Sequence, residues 1–366
     1  MQLWQPPIPD RYEAMTEAQL AEAIRARKAE LAGKVVVLGH HYQQDEVIQF
    51  ADFTGDSFKL SQLAAEEVKK TGAEHVVFAG VHFMAESADI LTPEHVQVTL
   101  PDLGAGCSMA DMADYEDTVD AWGVIEEALH GQNVRVVPIC YMNSSAAIKA
   151  FVGEHGGAVC TSSNCAKVFR WALRGGETPL APGEQAKILF LPDQHLGRNT
   201  AADLGYDVDT DMALWDPKHP DGLGGLDEAD IERVTFLLWK GHCSVHKLFR
   251  PEHVDQIREK WPDVTVMVHP ECAHDVVLKA DRVGSTEGIL RAVREAPEGS
   301  RWAIGTEVHM VNRLANQAKQ RGVTVRILSD CQCLCTTMYR IGMPHLLWSL
   351  DAITQGKPVN VIKVHP

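Results

Sequence analysis

Three apolar, β-branched runs in this chain end the same way, in two polar side chains spaced i and i+2. Val35-Val36-Val37-Leu38 leads to His40-His41-Tyr42, Val134-Arg135-Val136-Val137 to Tyr141-Met142-Asn143, and Val264-Thr265-Val266-Met267 to His269-Pro270-Glu271. Extended residues two apart project to the same side, so each exit presents a pair of polar groups in one direction. Ala- and Glu-rich stretches of helical character separate the runs. That alternation specifies an α/β fold with parallel strands. Three such units packed around an axis aim six polar side chains at a common centre.

Each repeat closes on a cysteine loop, at Gly106-Cys107-Ser108, His242-Cys243-Ser244 and Leu334-Cys335-Thr336. From His40 to Cys107 is 67 residues and from His269 to Cys335 is 66, but from Tyr141 to Cys243 is 102. The surplus falls in the Asp- and Gly-rich stretch between Asn199 and Asp230, whose Asp-Pro, Pro-Asp-Gly and Gly-Gly signals mark a surface excursion. The expected division is a first αβα domain with an N-terminal arm at 1–118, a second with the insertion at 119–249, and a third with a C-terminal helix at 250–366.

The 366 residues, 45% hydrophobic and 23% charged, supply two or three compact cores. Pro6, Pro7 and Pro9 precede a charged, Ala-rich stretch, which is not the apolar core of a signal peptide, and no run approaches a membrane span. A net charge of −16 without a basic patch argues against a nucleic-acid partner. Nine cysteines without an export signal point to the cytoplasm and to reduced thiols that ligate metal or do redox work.

Three cysteines, one per repeat, are spaced too widely for a structural zinc site and suit a cluster held between domains. A cubane takes four thiolates, so three leave one iron open to water or substrate as a Lewis acid. Core packing is the competing account, since buried thiols behave as small hydrophobes, and it suffices for Cys140, Cys160, Cys165 and Cys272, which lie in or just after strand runs. It does not explain Cys331-Gln332-Cys333-Leu334-Cys335, where one thiol ligates and the others are either spare or a reversible disulfide. Gly55-Asp56-Ser57, Thr161-Ser162-Ser163 and Gly284-Ser285-Thr286 are strand-to-helix turns, either ordinary caps or anion sites. His269 with Glu271 is the best acid–base pair, and His246, three residues after Cys243, is either beside a metal or a satisfied surface residue. An iron–sulfur carrier and a zinc hydrolase are the rival classes. The carrier leaves the paired strand-exit groups idle.

At these residues the sequence resembles the quinolinate synthase family, collinearly and over nearly its whole length. The matching stations include Gly39-His40-His41-Tyr42-Gln43, Phe78-Ala79-Gly80-Val81-His82-Phe83-Met84-Ala85-Glu86, Tyr141-Met142-Asn143-Ser144-Ser145, Pro192-Asp193-Gln194-His195-Leu196-Gly197 and Val268-His269-Pro270-Glu271. The resemblance implies three similar αβα domains around a pseudo-threefold axis and a [4Fe-4S] cluster on Cys107, Cys243 and Cys335. It implies condensation of iminoaspartate with dihydroxyacetone phosphate to quinolinate on the route to NAD, with functional coupling to an L-aspartate oxidase. By position, His40, Tyr42, Ser57, Tyr141, Asn143, Ser162, His269, Glu271, Ser285 and Thr286 line the active site, with Tyr42, His269 and Glu271 as proton-transfer groups. The departures are Gln194, where the family often has Lys, the tight Cys-x-Cys-x-Cys, and the long middle insertion.

Overall fold

In the computed structural model, which describes residues 4–330 and 333–365, the first apolar run is strand β1, Val35–His40, buried throughout. Cys331 lies outside the described residues. The chain continues through β2 (Phe53–Gly55), β3 (His75–Ala79) and β4 (Gln97–Thr99), which pair in parallel in the order β2-β1-β3-β4. A second sheet uses β5 (Val134–Tyr141), β6 (Ala158–Cys160), β7 (Gln185–Leu191), β8 (Met212–Trp215) and β9 (Phe236–Trp239), ordered β6-β5-β7-β9-β8. The third, from β10 (Thr265–Val268), β11 (Arg282–Val283), β12 (Arg301–Gly305) and β13 (Thr324–Ile327), runs β11-β10-β12-β13. A last strand, β14 (Val361–Ile362), returns to pair antiparallel with β4. All other pairings are parallel, which requires the crossover helices the sequence alternation supplies. With β8 and β14 set aside, the three sheets share one order: second, first, third, fourth.

The chain groups into two compact units, one formed by residues up to Cys107, Glu307–Arg313 and the segment from Leu334 onward, the other by Ser108–Thr306 and Leu314–Cys333. The first holds the first sheet. In it the helix Glu17–Glu30 packs on the helix Met343–Thr354, where Tyr12 Oη (2.8 Å) and Arg27 Nε (2.5 Å) both donate to Asp351. The second holds the other two sheets. Its core gathers Trp122, Ile125, Phe151, Leu189, Leu237 and Trp239 around β5, β7 and β9.

The stretch from Asn199 to Asp230 is not a surface excursion. Its start completes the helix Gln194–Asp203, and its middle is β8, in register with β9 from Met212 opposite Phe236 to Trp215 opposite Trp239. Trp215 is 2% exposed and belongs to the core. The following loop folds over it, with Gly224 at φ +67° so close that a Cβ there would stand 2.6 Å from the indole. A four-residue strand amid turn signals has too short a period to be visible in sequence. The middle repeat's surplus is thus a fifth strand and the loop that seals it.

Trp215→Ala should therefore destabilise the protein by about 3–5 kcal/mol, the range for truncating a buried aromatic, as read from the urea midpoint. A change within about 0.5 kcal/mol, typical of surface sites, would make the segment peripheral.

Candidate active site

The first and third strand exits turn alike, and the middle one is closed by a side chain. The Gln43 N–H donates to the His40 carbonyl (2.9 Å), the Cys272 N–H to the His269 carbonyl (3.0 Å), and in the middle repeat the Ser144 hydroxyl donates to the Tyr141 carbonyl (2.7 Å). This turn brings the Tyr42 N–H to Nδ1 of His40 (3.1 Å) and the Glu271 N–H to Nδ1 of His269 (3.4 Å). A ring nitrogen that accepts carries no proton, so both neutral imidazoles hold theirs on Nε2. The i and i+2 pairing thus sets a tautomer as well as a direction.

In the first unit the His40 ring is buried and meets Tyr42 edge-on at 4.7 Å. Arg313 steadies that loop, donating to the carbonyls of His41 (3.1 Å) and Gln43 (2.7 Å) while pairing with Asp45 (3.0 Å). Ser57 opens the helix Ser57–Thr71, whose N-cap is Asp56, accepting from the Lys59 N–H at 2.9 Å.

The second unit gathers Tyr141, His269 and Glu271, as the exit pattern suggests, and adds His246. Glu271 is 3% exposed, with one carboxylate oxygen 2.8 Å from His246 Nδ1 and a hydrogen bond from the Tyr141 hydroxyl. The His246 ring stacks on His269 at 4.5 Å, and its Nε2 lies 3.1 Å from the Thr306 hydroxyl. Burial alone would raise the Glu271 pKa, but His246, His269 and these hydrogen bonds hold it well below the ordinary carboxylate value. Burial drives His269 down to about 3, against the pull of Glu271. His246 is 1% exposed, which settles its location against the surface.

Asp193 escaped the sequence reading because an Asp opening a helix is an ordinary N-cap. It is one, its Oδ1 accepting from the N–H groups of His195 (2.7 Å) and Leu196 (2.9 Å), but its buried Oδ2 has no partner among the described residues. Burial first, then the charge on Glu271, raises its pKa well above the ordinary value. Asn143 Oδ1 is likewise buried without a partner. Ser162 lies in the turn where the Thr161 N–H donates to Asn164 (2.7 Å), and Ser285 caps the helix Thr286–Arg294 by accepting from the Gly288 N–H (3.2 Å).

The described cysteines fall into two groups, none bridged. Cys140, Cys160, Cys165, Cys272 and Cys333 are buried, whereas Cys107, Cys243 and Cys335 are partly exposed. Burial pushes the Cys140 thiol up to about 12 and raises Cys160 and Cys272 as well, but it also raises Cys335, so side-chain exposure and not thiol acidity separates the two groups. The partly exposed three share a local sequence of events. A 3₁₀ turn begins three residues after each, at Ala110, His246 and Met338, and a helix begins eight after, at Tyr115, Pro251 and Met343. Cys333 is outside that register, its sulfur 3.3 Å from the Ser329 hydroxyl. Cys243 Sγ, a His246 ring nitrogen and a Glu271 oxygen lie within 4.8 Å of one another, a donor set that suits a transition metal.

Parallel sheets with a buried carboxylate, two imidazoles and a thiol gathered where strands end are the arrangement of an α/β-class enzyme. Residues 22–366 match the family described as quinolinate synthetase A protein, and the chain belongs to that family. It is 52% identical over 355 residues to the quinolinate synthase of Acidobacterium capsulatum, covering 97% of this chain and 91% of that one. The Streptomyces coelicolor quinolinate synthase is 52% identical over 350 residues, covering 95% and 84%, and that of a Geobacillus strain 49% over 359, covering 98% and 92%. Among the described residues no helix is long and apolar enough to cross a membrane.

His269 titrates at about 3 in the fold, below its ordinary 6.5, so between those values the unfolded chain binds a proton that the native chain does not. Stability of the metal-free protein should fall as pH drops below 6.5, by about 1.4 kcal/mol per unit for this group. Between pH 6.5 and 5, above the range where Glu271 contributes, His269→Gln should flatten urea midpoints against pH by one proton. An unchanged slope would show that His269 is not buried neutral.

Proposed function

We propose that this chain condenses iminoaspartate with dihydroxyacetone phosphate to quinolinate, releasing phosphate and two waters, on the route to NAD. A [4Fe-4S] cluster on Cys107, Cys243 and Cys335 serves the reaction. The observation that carries the cluster reading is the cysteine register: three thiols, one per repeat, each partly exposed and each at the same distance before a 3₁₀ turn and a helix. Soft thiolate donors of this kind fit an iron–sulfur cluster. When bound, such a cluster with three thiolates supplies an open iron that polarises a departing hydroxyl.

The protein's own groups account for binding and proton movement. Glu271, held ionised, accepts a proton, with the Tyr141 hydroxyl and the His246 ring positioned to relay or stabilise it. His269 and His40, each with Nδ1 engaged by its own backbone, present Nε2–H as neutral donors to a developing oxyanion. Tyr42 joins His40 in that work. Asn143 Oδ1, buried without a partner among the described residues, suits a substrate N–H or O–H. Ser57, Ser285 and Thr286 at helix starts, and Ser162 in the turn before the helix Cys165–Ala172, offer hydroxyl and backbone donors to two carboxylates and a phosphate.

The common strand order of the three sheets supports three αβα domains, 1–118, 119–249 and 250–366, around a pseudo-threefold axis. The unbridged state of all described cysteines accords with the cytoplasm, where an L-aspartate oxidase supplies the unstable imine.

Anaerobic purification with iron, sulfide and zinc analysis, and quinolinate assay in the same preparation, tests the reading. Four irons with quinolinate formation are expected. Iron without quinolinate would favour a carrier, and zinc alone would make Cys243, His246 and Glu271 a mononuclear site. Alanine at Cys107, Cys243 or Cys335 should each remove colour and iron, while Cys333→Ala retains both. Asn143→Ala should leave iron content intact and raise KM about 2–10-fold, the cost of one neutral hydrogen bond.

A further inference from the structure

The fourth strand of each sheet leads to its cysteine over different lengths. Thr99 to Cys107 and Ile327 to Cys335 are eight residues each, but Trp239 to Cys243 is only four. Ordering each residue of a long loop costs about 1–2 kcal/mol, so the two long approaches need anchors the short one does not. The first has a buried one. Asp102, 2% exposed and five residues before Cys107, accepts from Gln5 Nε2 (2.8 Å) and the Gly104 N–H (2.8 Å) on one oxygen. Its other oxygen accepts from Arg340 Nε (3.1 Å), with His345 Nε2 at 3.9 Å. Arg340 stands five residues after Cys335, in the 3₁₀ turn that cysteine opens. The guanidinium lies flat over the loop, so that a Cβ on Gly104 would sit 2.7 to 2.9 Å from its atoms. The same stretch has a second hold that does not involve Arg340, since Gln5 Oε1 accepts from the Leu103 N–H (2.7 Å) and from Asn360 Nδ2 (3.1 Å), which also donates to the Pro101 carbonyl (3.1 Å).

We propose that the Asp102–Arg340 pair is a positioning latch that fixes the turn after Cys335 to the loop before Cys107, setting two of the cluster thiols relative to each other before metal arrives. The inference rests on the cluster reading for its purpose, and on unit-one geometry alone for its mechanics. Arg340 is half exposed, so its loss removes the tie without opening the core, and Gln5 and Asn360 keep the 101–104 loop in place. The Cys335 turn keeps Gln43 Nε2 donating to the Met338 carbonyl (3.1 Å) and Gln44 Nε2 to that of Ile341 (2.9 Å), so it is loosened relative to the 101–104 loop and not unfolded.

The test compares wild type, Arg340→Ala, Arg340→Lys and Arg135→Ala, the last breaking an Arg135–Glu184 pair in the other unit as a control for general destabilisation. Anaerobic holoprotein is challenged with excess EDTA and cluster absorbance followed in time. Arg340→Ala should bleach about tenfold faster or more, the factor for losing a hydrogen bond to a charged group, Arg340→Lys should fall between, and Arg135→Ala should match wild type. In the metal-free proteins, iodoacetamide labelling read by peptide mass should quicken several-fold at Cys335 in Arg340→Ala and stay constant at Cys243. Wild-type bleaching and labelling rates in Arg340→Ala, or equal acceleration in Arg135→Ala, would overturn the latch. Should wild type bind no iron, the cluster reading fails by itself, and the labelling rates still decide the latch.

Discussion

An ionised carboxylate shut away from water costs several kcal/mol unless its environment answers the charge, and the arrangement of the second unit follows from meeting that demand at Glu271. Its partners come from separate places in the chain: Tyr141 from the end of β5, His246 from the turn after Cys243, and His269 from its own strand exit. None can be supplied unless two sheets and a cysteine loop have already formed. The consequence reaches Asp193, which faces the charge on Glu271 in the same dry interior and is driven the other way. Two carboxyl groups whose environments push their affinities for protons apart are the usual physical basis for an acid and a base in one site.

Much of this was legible in the chain because parallel strands are written as long apolar runs with an abrupt polar end. Each of the three exits read from sequence is a strand terminus, and the same backbone turn follows the first and the third. Asp56 and Ser285 are helix caps as their neighbours suggest. What escaped notice depended on distant partners. His246 carries no local mark distinguishing a buried ring from a solvated one; its place is decided by Glu271, twenty-five residues on, and Thr306, sixty on. Asp193 looks like a cap from one oxygen, and only packing reveals the other. The strand β8 was hidden because Met-Ala-Leu-Trp is shorter than any period that could announce it.

The cluster of thiols near residue 333 shows how structure and sequence divide the labour. Composition alone singles out a soft, reactive segment but leaves its members equivalent. The spacing from each cysteine to the next turn and helix breaks that equivalence, since only Cys335 keeps step with Cys107 and Cys243. A chain that repeats a plan three times carries its own internal standard, and departures from it, such as the four-residue approach to Cys243, become measurable against the other two copies.

The common strand order also determines where each sheet stops. A fourth strand leaves a rim of unpaired N–H and C=O groups, which invites a strand from another molecule to dock. The C-terminal strand β14 covers that rim on β4, and the inserted β8 covers it on β9. On β13 no strand among the described residues does so. There Arg326 sits in the strand itself, its guanidinium turned to Asp330 and over Trp261. Two sheets thus carry their rim one strand further out, on a short added strand, whereas the third ends on a four-residue strand that bears a charge, one of the ways an edge is kept from pairing with another chain.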